Sequence, residues 1–165
     1  MLSISATTAL WFAPFVIPIC LYVCWTDMAR MKIPNHAVLA LIGVFLVIGL
    51  IAVPLAEYPW RLLAGVVVLI VGFLLNAGGL LGAGDAKFAA AGAPFIAPLD
   101  YGIFFILLAC VTLAAFVTHR GAMKAGLNNL VPNWESWARE AEFPFGLGLG
   151  GGLAVYMVLG LIYGA

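Results

Sequence analysis

Long apolar runs separated by short polar stretches set the pattern of this chain. Predominantly apolar segments fall at roughly residues 8–25, 36–55, 60–81, 101–118 and 145–163. Each comes close to the ~20 residues that a helix needs to cross a bilayer. A shorter run, "GDAKFAAAGAPFIAP", occupies residues 84–98. At ~1.5 Å per residue it reaches only about 22 Å, against a hydrocarbon core of ~30 Å, so one of its ends is expected below the membrane surface. The pattern predicts an all-α, polytopic membrane protein of six transmembrane helices, one domain over residues 1–165. Its fourth helix is short and follows a glycine-rich turn.

Composition agrees. Of 165 residues, 65% are hydrophobic and 8% charged, where a soluble domain carries about 25% charged residues. The bilayer is therefore an expected partner, and a formal net charge of zero gives no basis for a nucleic-acid partner. The first basic residue is Arg30, so the first apolar segment lacks the basic start of a signal peptide and is expected to be a retained anchor. Six segments collect Arg30, Lys32, Lys87, Arg120, Lys124 and Arg139 on one side and leave Arg61 on the other. Positive residues favour the cytoplasm, so the loops at 25–36, 78–87 and 119–143 are expected inside and both termini outside.

The 119–143 loop is the one sizeable polar stretch. Within it, "PNWESWAREAEF" offers Asn133 as a helix cap, Trp134, Trp137 and Ala141 on one face, and Glu135 with Arg139 at a four-residue spacing. That predicts a short helix lying in the membrane interface. The glycine-dense start of the last segment, "FGLGLGGGLAV", reads as a face for close helix packing, or one against which a substrate helix slides. Cys20 and Cys24 are four apart on a helix, with Cβ atoms ~5–6 Å apart, too far for a disulfide, and read as small packing residues.

The chemistry open to such a chain is narrow. Ser3, Ser5 and Ser136 lie outside the apolar runs, which leaves no buried serine nucleophile. His36 and His119 stand alone at loop edges, and the three cysteines sit within helices, so neither a metal site nor a Cys–His pair is indicated. Carboxylates remain. Glu57 and Asp100 fall in outer loops, and Glu135, Glu140 and Glu142 in the interfacial stretch. Asp27 and Asp85 lie at the inner ends of the first and fourth helices, at about the same depth. An aspartate in that position is a functional candidate, because burying it near hydrocarbon is costly.

Two carboxyls close together and partly desolvated cannot both ionise. The ionised one can take a proton from an attacking water, and the protonated one can donate toward a peptide carbonyl. Gly78, Gly79, Gly82 and Gly84 leave the backbone free to adopt positive φ and to approach another chain closely. A plain flexible turn would explain those glycines but not the aspartate. Gly82 and Gly84, with Lys87, are the candidate substrate-binding residues. Lys87 follows Asp85 by two positions and points about 200° away on a helix, so an ion pair with Asp85 is not expected. Snorkelling to the surface and a contact with substrate both stay open for it. A small proton-coupled transporter is the alternative reading, since paired intramembrane carboxylates also relay protons.

These residues carry a resemblance. "GAGDAK" at residues 82–87 resembles the GxGDxK signature of type IV prepilin peptidases, and "DMARMKIPN" at 27–35 resembles the family's aspartate followed by Ile-Pro-Asn. "FPFG" at 143–146 is similar to the family's opening of its last helix. The resemblance implies an endopeptidase of the bacterial inner membrane, with Asp27 and Asp85 catalytic and the active site facing the cytoplasm. It would cleave the leader of prepilins or pseudopilins, with pilus-assembly machinery as a further partner. Pro34 would turn the chain into the second helix and Asn35 would cap it. Members that also methylate the product carry paired Cys-x-x-Cys motifs after the first helix. The loop here has none, so a peptidase without cofactor or metal is expected.

Overall fold

The computed structural model describes residues 1–139 and 142–165. Seven α-helices are described: α1 (Ala6–Arg30), α2 (Asn35–Ala52), α3 (Tyr58–Ala77), α4 (Ala83–Gly92), α5 (Tyr101–Lys124), α6 (Glu135–Ala138) and α7 (Phe145–Tyr163). The fold is all-α. Among the described residues five helices are long and apolar enough to cross a membrane, namely α1, α2, α3, α5 with the turn before it, and α7. Large apolar side chains such as Leu39, Phe73, Phe105 and Ile162 are exposed around the outside, as expected of a surface that lipid covers.

The expected sixth segment takes another form. α4 has only ten residues, and two short 3-10 turns, Ala93–Phe95 and Pro98–Asp100, continue the chain. Pro94 and Pro98 account for the break, since proline cannot supply the N–H that an α-helix interior needs. Together these pieces still carry the chain from the end of the molecule that holds Asp85 to the end where Asp100 meets residues 3 and 4. The run is held on its inner side by aromatics. Phe95 meets Phe12 and Phe45 edge-on at 4.8 and 5.3 Å.

α1 and α7 form the centre. Glycines along α7 let the backbones approach: a Cβ on Gly150 would lie 2.8 Å from the Cys20 carbonyl and 2.9 Å from Cys24 Sγ. That is the close-packing use of small residues expected from the sequence. The two cysteines are free and serve this packing. At the far end the chain termini are tied together, with Leu2 N–H donating to Tyr163 O and Ala165 N–H to Ile4 O, both at 3.1 Å.

Two capping expectations fail. α6 spans four residues with Trp134, not Asn133, at its N-cap, and no side chain caps it. Trp134 and Trp137 do share a face, stacked at 6.0 Å, and Arg139 pairs with Glu135 at 3.3 Å. Ala141 and Glu140 lie outside the described residues. α2 begins at Asn35 itself, with Pro34 at the N-cap and no side-chain cap. The Asn35 side chain is turned to Lys87 instead.

Candidate active site

Asp27 sits one turn before the end of α1, a helix capped at its start by Ser5 and closed by Met31 in the left-handed region at φ 50°. Asp85 sits in the first turn of α4. The turn before α4 relies on one left-handed glycine, Gly79 at φ 72°, and on Asn76 Nδ2 donating to Leu81 O at 2.7 Å. The other glycines there act by space rather than by positive φ. A Cβ on Gly82 would lie 2.5 Å from Asp85 Oδ2, and one on Gly84 would just touch Ile33 at 3.4 Å. The α3–α4 turn is thereby packed directly against the loop that leaves α1.

The two aspartates line the same pair of cavities. One, of about 530 Å³, includes Arg30, Lys32, His36, Gly82, Gly84 and Lys87 in its wall. The other, of about 500 Å³, is bounded by Gly79, Gly82, Glu142, Phe143 and Pro144. The carboxylates thus stand between a chamber lined by basic residues and one that mixes polar and apolar groups, Glu142 among them. Asp27 is nearly closed off, at 6% exposure. Asp85 is half-buried and lies outside the five long helices. Carboxyls that feel each other's charge share protons as a pair.

Lys87 extends from α4 along the chamber rim, where its Nζ donates to Asn35 Oδ1 at 3.4 Å across to α2. Among the described residues no ion pair joins it to Asp85, in keeping with their spacing. His36 is not alone, as its Nε2 lies 2.9 Å from Tyr22 Oη. His119 is not at a loop edge either, because α5 runs on to Lys124 and buries it, stacked on Trp137 at 4.6 Å. Among the described residues neither histidine is bonded to an aspartate, although His36 lines the chamber beside them.

One contributor was hidden in the sequence. Gly146, in the first turn of α7, donates its backbone N–H to Asp27 Oδ2 at 2.7 Å. A helix's first N–H groups lack intrahelical partners and favour negative charge, so α7 supplies a ready donor. A Cβ on Gly146 would lie 2.8 Å from that same oxygen. The "FPFG" segment was legible as a motif, but the backbone atom that touches the carboxylate was not.

A comparison with curated proteins finds no match, and a comparison with solved structures finds none. Residues 15–118 match the type IV leader peptidase family. That stretch covers more than half the chain and contains both aspartates, with Asn35, Gly82, Gly84 and Lys87 beside them. The chain belongs to the type IV leader peptidase family.

Proposed function

We propose that this peptidase is an aspartyl endopeptidase that uses Asp27 and Asp85 as a dyad to remove the leader of a type IV prepilin or prepilin-like protein. The observation that carries the reading is the placing of two partly desolvated carboxylates, from separate helices, on the same two cavities. With one proton shared between them, the ionised carboxylate takes a proton from water as the water oxygen bonds to the peptide carbonyl carbon. The protonated carboxyl donates to the carbonyl oxygen. When the C–N bond breaks, the amine leaves with a proton from the dyad, giving a new carboxylic acid and a new amine. Gly82 and Gly84 keep the aspartate wall free of Cβ atoms where an extended peptide would lie, and Lys87 holds the rim.

In this reading α4 and its two 3-10 turns make a sixth passage across the membrane. The excess of Lys and Arg beside the dyad supports an orientation with that end in the cytoplasm, and the family resemblance supports a bacterial inner membrane as its location. A reporter active only outside the cytoplasm should then work after Ala165 and fail after Gly121. The transporter alternative finds no support, since both dyad carboxylates lie at one end and leave no relay across the molecule.

The test is direct. Protein purified in detergent, with no ion gradient, should shorten a prepilin by its leader, and Asp27→Asn and Asp85→Asn should each abolish this. Intact prepilin after incubation with well-folded wild-type protein would overturn the reading.

A further inference from the structure

A third cavity, of about 580 Å³, runs along the outside of the molecule between α2, α3 and α4. Its walls are apolar side chains that stand free, with Leu39 66% and Val66 52% exposed. Its floor is small, formed by Ala90 and Ala91 of α4. From Asn35 to Leu46 on α2, the length it covers is about 16 Å, or three helical turns. Asn35 and Lys87 close one end, and both also line the chamber that holds Asp27 and Asp85. The apolar groove and the polar chamber beside the carboxylates therefore meet at Asn35 and Lys87, whose side chains bond across the boundary at 3.4 Å.

A rival groove of about 460 Å³ lies on the other side, along α5. It ends at Phe143 and Phe145, which stand between it and the second aspartate cavity. A chain leaving that groove would meet two aromatic rings. A chain leaving the α2–α3–α4 groove meets an amide and an ammonium group.

Resting on the dyad assigned above, we propose that the α2–α3–α4 groove seats the membrane-spanning helix of the substrate, with the scissile bond just past the end of that helix nearest Asn35 and Lys87. A small-residue floor lets a second helix approach closely, which is what drives helix association where no water is displaced. The exposed walls supply side-chain contact along its length. Beyond Lys87 the helix must unwind, and its freed backbone groups reach the polar chamber rather than hydrocarbon.

Bulk added to the walls tests this. Leu39→Trp and Val66→Trp, which project where lipid or substrate would lie, should each raise KM for a full-length prepilin by about ten-fold or more. Leu113→Trp, in the rival groove, should keep the wild-type KM. Thermal melting in detergent checks that all three are folded. A photo-crosslinking residue at position 39 or 66, placed in an Asp85→Asn background so that substrate is held and not cut, should capture the prepilin, while one at position 113 should not. The proposal is overturned if Leu39→Trp and Val66→Trp keep the wild-type KM. It is equally overturned if the probes at 39 and 66 capture only lipid, or if position 113 captures the prepilin instead. A wild-type protein that fails to cut overturns the dyad, whereas the crosslinks still report where the helix sits.

Discussion

Asp27 and Asp100 are almost equally buried, 6% and 2% exposed, yet they lie in opposite surroundings. Asp100 accepts from Ser3 N–H at 2.7 Å, Ile4 N–H at 2.9 Å and Tyr156 O–H at 2.7 Å. Tyr156 Oη in turn accepts from Ala97 N–H at 3.1 Å. Three donors hold the carboxylate, and it fixes the start of the chain to α7 and to the turn before α5. Asp27 takes one backbone N–H, from Gly146, and otherwise faces open volume shared with a second carboxylate. Burial by itself does not mark a reactive group. An aspartate held by several donors is a structural clamp, while one with a single donor beside a cavity has capacity to accept a proton from water.

The largest effect expected from this contrast is on turnover. Asp27→Asn or Asp85→Asn should lower cleavage by about 10²–10⁴-fold or more, the range of a lost acid or base, with the protein still accumulating in the membrane. Asp100→Asn should keep its activity per folded molecule. Equal loss of turnover in all three variants would erase the distinction.

Two glycines of α7 sharpen it. Gly146→Ala would press a methyl group on Asp27 Oδ2, and about a 10- to 100-fold fall in kcat is expected from misplacing a reacting group by a fraction of an ångström. Gly160→Ala would press on Ala9 Cβ at 3.0 Å and Ile4 Cγ2 at 3.1 Å, at the clamp end. That change should lower stability by about 1–3 kcal/mol, the usual effect of overpacking, and leave kcat in place. Kinetics and thermal melting of the two variants, measured together, separate the outcomes.

Acidity gives a third expectation. The proposed mechanism needs a dyad that holds one shared proton. As pH rises and that proton is lost, both carboxylates would be charged, and no acid would remain for the carbonyl oxygen. A profile of kcat/KM against pH should therefore fall on its alkaline side, about ten-fold per pH unit beyond the midpoint. A profile flat from pH 5 to 8 would contradict the shared proton.

The smallest effects concern the clamp. Tyr156→Phe removes one donor from Asp100 and strands Ala97 N–H, which should lower stability by about 1–3 kcal/mol without changing KM. Chemical or thermal unfolding in a fixed detergent measures it.

Why one end of the molecule was legible in the sequence and the other was not follows from the same contrast. The apolar runs located the long helices because a spanning helix must be apolar along its whole length. The ends were less sharp: α5 continues six residues past Thr118 to Lys124, because polar residues such as Arg120 are good helix formers even where hydropathy stops. Asp27 and Asp85 stood out as carboxylates in apolar surroundings with glycine beside one of them. Asp100 read as a loop residue because two of its partners are backbone N–H groups, 97 and 96 residues away, and backbone donors leave no trace in residue identity. Gly146 escaped notice for the same reason. Arg61, the basic residue assigned to the far side, is buried at 4% exposure and bonded to Glu57 at 3.0 Å. The i,i+4 spacing of that pair was readable, but its burial depended on tertiary packing.

Asp27 and Asp85 should act together in turnover, and Asp100 should take no part in it. Cleavage of one purified prepilin by wild type, Asp27→Asn, Asp85→Asn and Asp100→Asn, at equal amounts of folded protein and followed by mass spectrometry of the released leader, tests it most directly. The account expects leader from wild type and Asp100→Asn and none from the other two. Leader released at a wild-type rate by either dyad variant would contradict it.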